Sequence, residues 1–383
     1  MYCPFSYISI GDVMKRAVCV LLIILLSVFN FSATACAEEL SLSAQAYVLY
    51  CVENGEVILA HNENVTMKPA STTKIMTTLL ALEACDIEDP IVEFDEAMIA
   101  EGSSMYLKIG DTVHLSDLAV GMMMASGNDA ANAVAIAISG NLENFSDLMN
   151  NRCREIGMKN THFVTPSGLD DENHYSTAYD MALLMSTALE NEAFCEITKN
   201  KEMTVSFLTP QKQVTYQNHN RLLSLYEHCI GGKTGYTKSA GRCLVSASRK
   251  DGVTLVCVTL NAPSDWQDHQ KMYDYGFEKY CAIDSDDSDE IFTADVVGGQ
   301  KDEVTLYTKA TDKAVVKIED KDRVQRTVYL QPFLYAPIKS DCCVGMVVYT
   351  LDGEIIAQNP LYPSVDIERF EESAFRRFMR RLF

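Results

Sequence analysis

Ser71-Thr-Thr-Lys-Ile-Met-Thr-Thr-Leu-Leu-Ala-Leu-Glu-Ala84 follows Pro69-Ala70 and reads as a helix with Ser71 at its start. Residues three apart on a helix share a face, so the Lys74 amine can reach the Ser71 hydroxyl. A serine hydroxyl is a poor nucleophile until a base removes its proton. Lysine can be that base only when neutral, which requires its pKa to fall by roughly three units from ~10.4, or roughly 4 kcal/mol. Burial, a second cation and the positive end of a helix can together supply that shift. Taken alone, the tetrapeptide is equally a capping serine beside a surface lysine. Ser-x-x-Lys occurs once in the chain.

Upstream, residues 46–60 alternate in polarity around Asn54-Gly55, a hairpin pattern. Downstream, residues 115–125, 129–139 and 176–190 read as helices, and 241–248 and 253–260 as strands joined at Asp251-Gly252. Strands at both ends with helices between predict an α+β domain whose terminal strands share an antiparallel sheet. Two more tripeptides could carry chemistry. Ser126-Gly127-Asn128 separates two helical segments, where a hydroxyl can relay a proton and an amide can orient lysine and substrate. The second copy, Ser139-Gly140-Asn141, reads as a helix C-cap. Lys233-Thr234-Gly235 precedes a strand: Lys233 and Thr234 can bind a carboxylate, and Gly235 leaves room for a substrate on the strand edge.

In this order and spacing, the three motifs resemble those of the serine penicillin-binding proteins and β-lactamases. The closer resemblance is to low-molecular-mass D-alanyl-D-alanine carboxypeptidases of the penicillin-binding protein 5 type. It is carried also by Pro69–Thr77, Ser126-Gly-Asn-Asp-Ala130, His162-Phe-Val-Thr-Pro-Ser-Gly-Leu-Asp170 and Lys233-Thr-Gly-Tyr-Thr237. It covers residues 40–280 strongly and the remainder loosely. The resemblance implies that Ser71 attacks the carbonyl between two terminal D-alanines of a peptidoglycan stem peptide. Lys74 would be general base, Ser126 would pass the proton to the leaving D-alanine, and Asn128 would hold substrate and Lys74. Lys233 and Thr234 would bind the terminal carboxylate, and the backbone N–H groups of Ser71 and Tyr236 would form the oxyanion hole. One such donor is worth ~10²–10³ in rate. No cofactor is implied, and β-lactams would bind covalently as substrate mimics. Where some relatives carry arginine near the cleft this chain offers His219 or Arg221, and the sequence does not choose between them. The alternatives are a serine β-lactamase, an endopeptidase or transpeptidase of the same superfamily, or a non-catalytic wall-binding scaffold. A β-lactamase would often need a Glu about 40 residues after Ser-x-Asn, and 160–171 contain none.

The rest of the chain sets location and organisation. Lys15-Arg16, the apolar run Ala17–Phe29 and Ala35-Cys36-Ala37 form a signal-peptide pattern over residues 1–37, with Met14 an alternative start. The run of ~13 residues is short for a span of ~20. Export to the outer face of the cell membrane is expected. A formal charge of −21 repels nucleic acid phosphates, so no nucleic-acid partner is expected. The cysteines form no compact framework, and no Cys/His cluster suggests a metal. A catalytic domain is expected over 38–283. Asp284-Ser-Asp-Asp-Ser-Asp-Glu290 reads as an acidic linker into a small β-sandwich domain over 284–363. Over 364–383, Ile367, Phe370, Ala374, Phe378 and Leu382 recur at helical spacing, with four late arginines. That segment is expected to anchor the chain to the membrane surface as an amphipathic helix.

Overall fold

The computed structural model describes residues 40–309 and 312–371. The expected signal segment, residues 1–37, lies outside the described residues. The first domain contains strands β1 (Ala46–Cys51), β2 (Val57–His61), β3 (Ile91–Glu93), β4 (Thr112–His114), β5 (Glu202–Thr209), β6 (Lys212–Gln217), β7 (Cys229–Thr237), β8 (Gly241–Lys250) and β9 (Val253–Leu260). Its helices are α1 (Lys74–Cys85), α2 (Leu115–Met124), α3 (Asn128–Ser139), α4 (Leu142–Ile156), α5 (Ala178–Ala188), α6 (Glu192–Lys199), α7 (Leu222–Leu225) and α8 (Asp265–Lys279).

The central sheet is antiparallel in the order β2-β1-β9-β8-β7, so the first and last strands of the domain are paired. The two faces of β1 separate by the two-residue strand period. Val48 and Tyr50 join the helical core, whereas Leu49 faces α8, where Gly276 allows close approach of Leu49 and Leu255. Every residue of β9 is buried, as a strand covered on both faces requires. Strands β3-β4-β5-β6 form a smaller sheet at the side.

The expected hairpin, terminal strands and helices are present, with adjusted ends. Ser71 is not on the α-helix: Ala70–Thr73 is a 3₁₀ turn, and α1 begins at Lys74. Asn128 is not in the expected loop; it is the first residue of α3, which ends at Gly140 in the left-handed conformation.

The second domain is all-β. Its strands are β10 (Tyr280–Ile283), β11 (Phe292–Val297), β12 (Glu303–Thr308), β13 (Ala314–Lys317), β14 (Gln325–Leu330), β15 (Phe333–Tyr335), β16 (Gly345–Leu351) and β17 (Glu354–Pro363). The main sheet runs β14-β16-β17-β12-β11-β15, with β10 paired to β13. The acidic 284–290 stretch joins β10 to β11 with most of its residues exposed, as a linker would, but Ser285 and Asp287 turn inward and are buried. Asp287 accepts hydrogen bonds from Arg326, Tyr349 and Asn359, and these polar partners compensate a buried carboxylate. The helix expected over 364–383 does not begin there. Ile367 exchanges two backbone hydrogen bonds with Ile338 and fills the β-domain core. The helical spacing of Ile367 and Phe370 was coincidental, because isolated β-bridges pair Ile367 with Ile338 and Arg369 with Gly299. The remainder of that segment, 372–383, lies outside the described residues. Among the described residues no helix is long and apolar enough to cross a membrane.

Candidate active site

Three elements of the first domain converge on one cleft of about 280 Å³, lined by Ser71, Ser126, His219, Thr234, Gly235, Tyr236 and Arg242, among others. The 3₁₀ turn places Ser71 one helical step before Lys74, and their Oγ and Nζ lie 2.9 Å apart. Strand β7 lies against this turn. A Cβ on Gly235 would come within 2.9 Å of the Pro69 carbonyl and 3.0 Å of the Ser71 nitrogen, so only glycine allows the approach. Ser126 sits between α2 and α3 with φ +56°, an uncommon backbone for a serine, and its hydroxyl lies 3.0 Å from Lys233 Nζ. Strain of this kind is a recurrent feature of functional loops.

Lys74 is fully buried and its contacts decide its chemistry. Nζ donates to Asn128 Oδ1 at 2.7 Å and to the Ser167 carbonyl at 2.7 Å. The Asn128 amide is oriented, because its Nδ2 donates to the Glu101 carbonyl at 2.6 Å. Both partners can therefore only accept. A neutral amine has two N–H groups and one lone pair. With both N–H groups taken, the lone pair falls on Ser71, the geometry of a general base. Burial, and then the neighbouring Lys233 charge, push the Lys74 pKa well down; Asp129 opposes them more weakly. Burial brings Lys233 to about 7. Its Nζ donates to Ser126 Oγ and to its neighbour's carbonyl, Thr234 O.

All eight residues expected at the site lie at this cleft or in direct contact with it. Of the two undecided cleft residues, His219 lines the cavity. Its proton affinity is lowered first by desolvation and then by Lys233. Sequence reasoning missed Arg242, Asp265 and Trp266, which also line the cleft. Arg242 donates to both oxygens of buried Asp265, at 2.8 and 2.9 Å, and its guanidinium lies over the Trp266 ring. Asp129 was also missed: it accepts from the backbone of Met105 and Leu107 and from Ser104, and so shapes the loop beside Asn128. It lay within the Ser126–Ala130 stretch that carried the resemblance, but no role was read for it. Among the described residues no cluster of His, Cys, Asp or Glu could hold a metal, and all ten described cysteines are free.

A lysine-activated serine at a helix start, beside a Lys-Thr-Gly strand edge, on this α+β domain followed by an all-β domain, defines a penicillin-binding-protein fold. The D-alanyl-D-alanine carboxypeptidase family model matches residues 32–264, and that of the penicillin-binding protein 5 C-terminal domain matches residues 285–369. The D-alanyl-D-alanine carboxypeptidase DacF of Bacillus subtilis is 32% identical, covering 96% of this chain and 98% of its own. DacC of Escherichia coli, also a D-alanyl-D-alanine carboxypeptidase, is 34% identical over 90% of this chain and 88% of its own. Penicillin-binding protein 5 of Haemophilus influenzae superposes with a TM-score of 0.66 at 30% identity, covering 86% of this chain and 98% of that structure. This chain belongs to the S11 peptidases, the D-alanyl-D-alanine carboxypeptidases.

Proposed function

We propose that the chain removes the terminal D-alanine from peptidoglycan stem pentapeptides through an acyl-enzyme on Ser71. The observation that carries this is the Lys74 amine, whose two N–H groups are taken by obligate acceptors while its third position faces Ser71 Oγ. Ser71 Oγ attacks the carbonyl carbon of the penultimate D-alanine as its proton passes to Lys74. The carbonyl oxygen becomes an oxyanion held by the backbone N–H groups of Ser71 and Tyr236. When the tetrahedral intermediate collapses, the C–N bond breaks, and Ser126 delivers a proton to the departing D-alanine nitrogen. Lys233 and Thr234 hold that residue's carboxylate. Such an anion also favours the charged form of Lys233. Water then attacks the ester carbonyl, giving the shortened peptide and free Ser71. A β-lactam enters the same path but leaves its acyl group on Ser71.

The test is release of D-alanine from a D-Ala-D-Ala-ending pentapeptide, with mass detection of the penicillin adduct. Ser71→Ala should abolish both; release persisting in that variant would overturn the mechanism.

We also propose that the chain is exported and held at the outer face of the membrane by residues 372–383. The signal-like N-terminus and the four arginines interleaved with Phe375, Phe378 and Phe383 support this reading. Deleting 372–383 should move the protein to the soluble fraction. Retention on membranes would assign the anchor elsewhere.

A further inference from the structure

One buried titratable side chain outside the reacting groups ties the turn carrying Ser71 to the segment whose Ser167 carbonyl accepts a hydrogen bond from Lys74. His174 is 2% exposed and lies against the Phe163 ring. Its Nδ1 faces two backbone donors, the N–H groups of Val164 at 3.0 Å and Thr165 at 3.2 Å. Backbone N–H groups can only donate, so Nδ1 carries the lone pair and Nε2 the proton. Nε2–H therefore donates to Thr73 Oγ1 at 2.9 Å, on the 3₁₀ turn between Ser71 and Lys74.

The segment His174 grips is the one that positions Lys74. Thr165 Oγ1 accepts from the Gly168 N–H and donates to the Leu169 carbonyl, closing a tight turn. Within it the Pro166 carbonyl accepts from Thr77 at 2.6 Å and the Ser167 carbonyl from Lys74. There is no slack: a Cβ on Gly168, at φ +80°, would lie 1.9 Å from the Ala70 carbonyl.

We infer that His174 is a positioning residue of the acyl transfer: as the Nε2–H tautomer it holds the 164–168 turn against the Ser71 turn, so that Ser167 takes one Lys74 N–H and the amine's lone pair stays on Ser71. The inference rests on the reading of Lys74 as the base. Protonation would aim a third N–H at the two backbone donors and release the turn. Burial keeps the ring neutral, lowering its pKa to about 4. Asp171 favours its protonation, whereas His162 and Lys68 oppose it, Lys68 itself lying 3.9 Å from Asp170.

The experiment measures acylation by a fluorescent penicillin and D-alanine release for the wild type, His174→Phe, His174→Asn and Ser71→Ala, between pH 3.5 and 8. Thermal unfolding is followed in parallel. Phenylalanine fills the space but accepts nothing. Asparagine returns an acceptor near Nδ1 and cannot titrate. His174→Phe should lose ~100-fold in kcat, the scale of a small misplacement of reacting groups, with KM within about threefold. His174→Asn should recover at least about tenfold of that loss. In the folded wild type the acid limb should steepen from one proton to two near pH 4, while in His174→Asn it stays at one. Equal losses in both variants, a wild-type rate in His174→Phe, or the same steepening in His174→Asn would overturn the inference. Should His174→Phe fail to fold, the pH slopes of wild type and His174→Asn decide. An active Ser71→Ala, or a wild type that penicillin does not label, would instead sink the reading of the site itself.

Discussion

The two domains bury charge in opposite ways. In the catalytic domain Lys74 and Lys233 are buried with only neutral oxygens in contact, and among the described residues no carboxylate lies within ion-pair distance of either. In the β domain Asp287 is buried among Arg326, Tyr349 and Asn359, so its charge and its hydrogen bonds are both answered. An unanswered charge is destabilised in its charged form, and its proton affinity moves. An answered one is held, and it orders the chain around it. The cleft uses the first arrangement for reactivity; the β domain uses the second to fix the segment that enters it.

That contrast is broken or upheld most directly at Lys74. Lys74→Met should lower D-alanine release by at least ~10³-fold, the scale of losing a general base. The same variant should unfold at an equal or higher temperature than wild type, because it removes a buried amine that folding must desolvate and strip of its proton. Marked destabilisation would mean that the lysine is held for packing rather than for reactivity. Asp287→Ala should do the reverse. Leaving the buried Tyr349 hydroxyl and Asn359 amide without their shared acceptor should cost about 1–3 kcal/mol, read as a lower unfolding midpoint of the β domain. D-alanine release measured below that midpoint should stay within about twofold of wild type.

Acid should separate the domains as well. All seven histidines of the chain lie before residue 270. His174 and His269 are held neutral by burial, with pKa values lowered to about 4 and about 3. The unfolded chain binds these protons first, from about pH 6.5. Their stabilising effect is therefore complete above about pH 6.5 and declines as pH falls toward 4. Calorimetry at pH 7 and pH 5 should show the catalytic transition moving down by several degrees more than the β-domain transition. His269→Gln, keeping a polar side chain between Ser246 and Thr259, should flatten the pH dependence of the first transition. An unchanged pH dependence would place the acid-labile groups elsewhere.

The same division explains what the sequence could disclose. Ser71, Lys74, Ser126 and Lys233 stood out because each sits in a short motif, and the three motifs in order carried the family resemblance. The sheet of β1, β8 and β9 was legible because its apolar alternation and Asx-Gly turns are local. What escaped is built from distant partners. Helix α8 has a sparse apolar stripe; it is anchored by Asp268 on Ser43 and Asp265 on Arg242, residues far apart in sequence. His174 lies four residues beyond the stretch that carried the family resemblance, and only the fold brings it to Thr73. Asp287 looked like linker because a run of acids normally seeks solvent, and Arg326 and Asn359 reverse that choice from 39 and 72 residues away.

The smallest expected effect refines what counts as an answered charge. Arg323 reaches Asp320 and Asp352 in the same β domain, so by partner count it rivals the Asp287 cluster. Its side chain is 52% exposed, however, and that of Asp352 is 59%. Water solvates both ions in the unfolded and folded chain alike, and salt screens what attraction remains. Arg323→Ala should therefore lower β-domain stability by under ~1 kcal/mol, an effect that shrinks further in 0.5 M salt. Asp287→Ala should keep most of its cost in the same salt, because the buried hydrogen bonds of Asp287 to Tyr349 and Asn359 are screened far less. If Arg323→Ala cost as much as Asp287→Ala, the number of partners rather than burial would set the value of a charge here, and the contrast between the cleft lysines and Asp287 would need another cause.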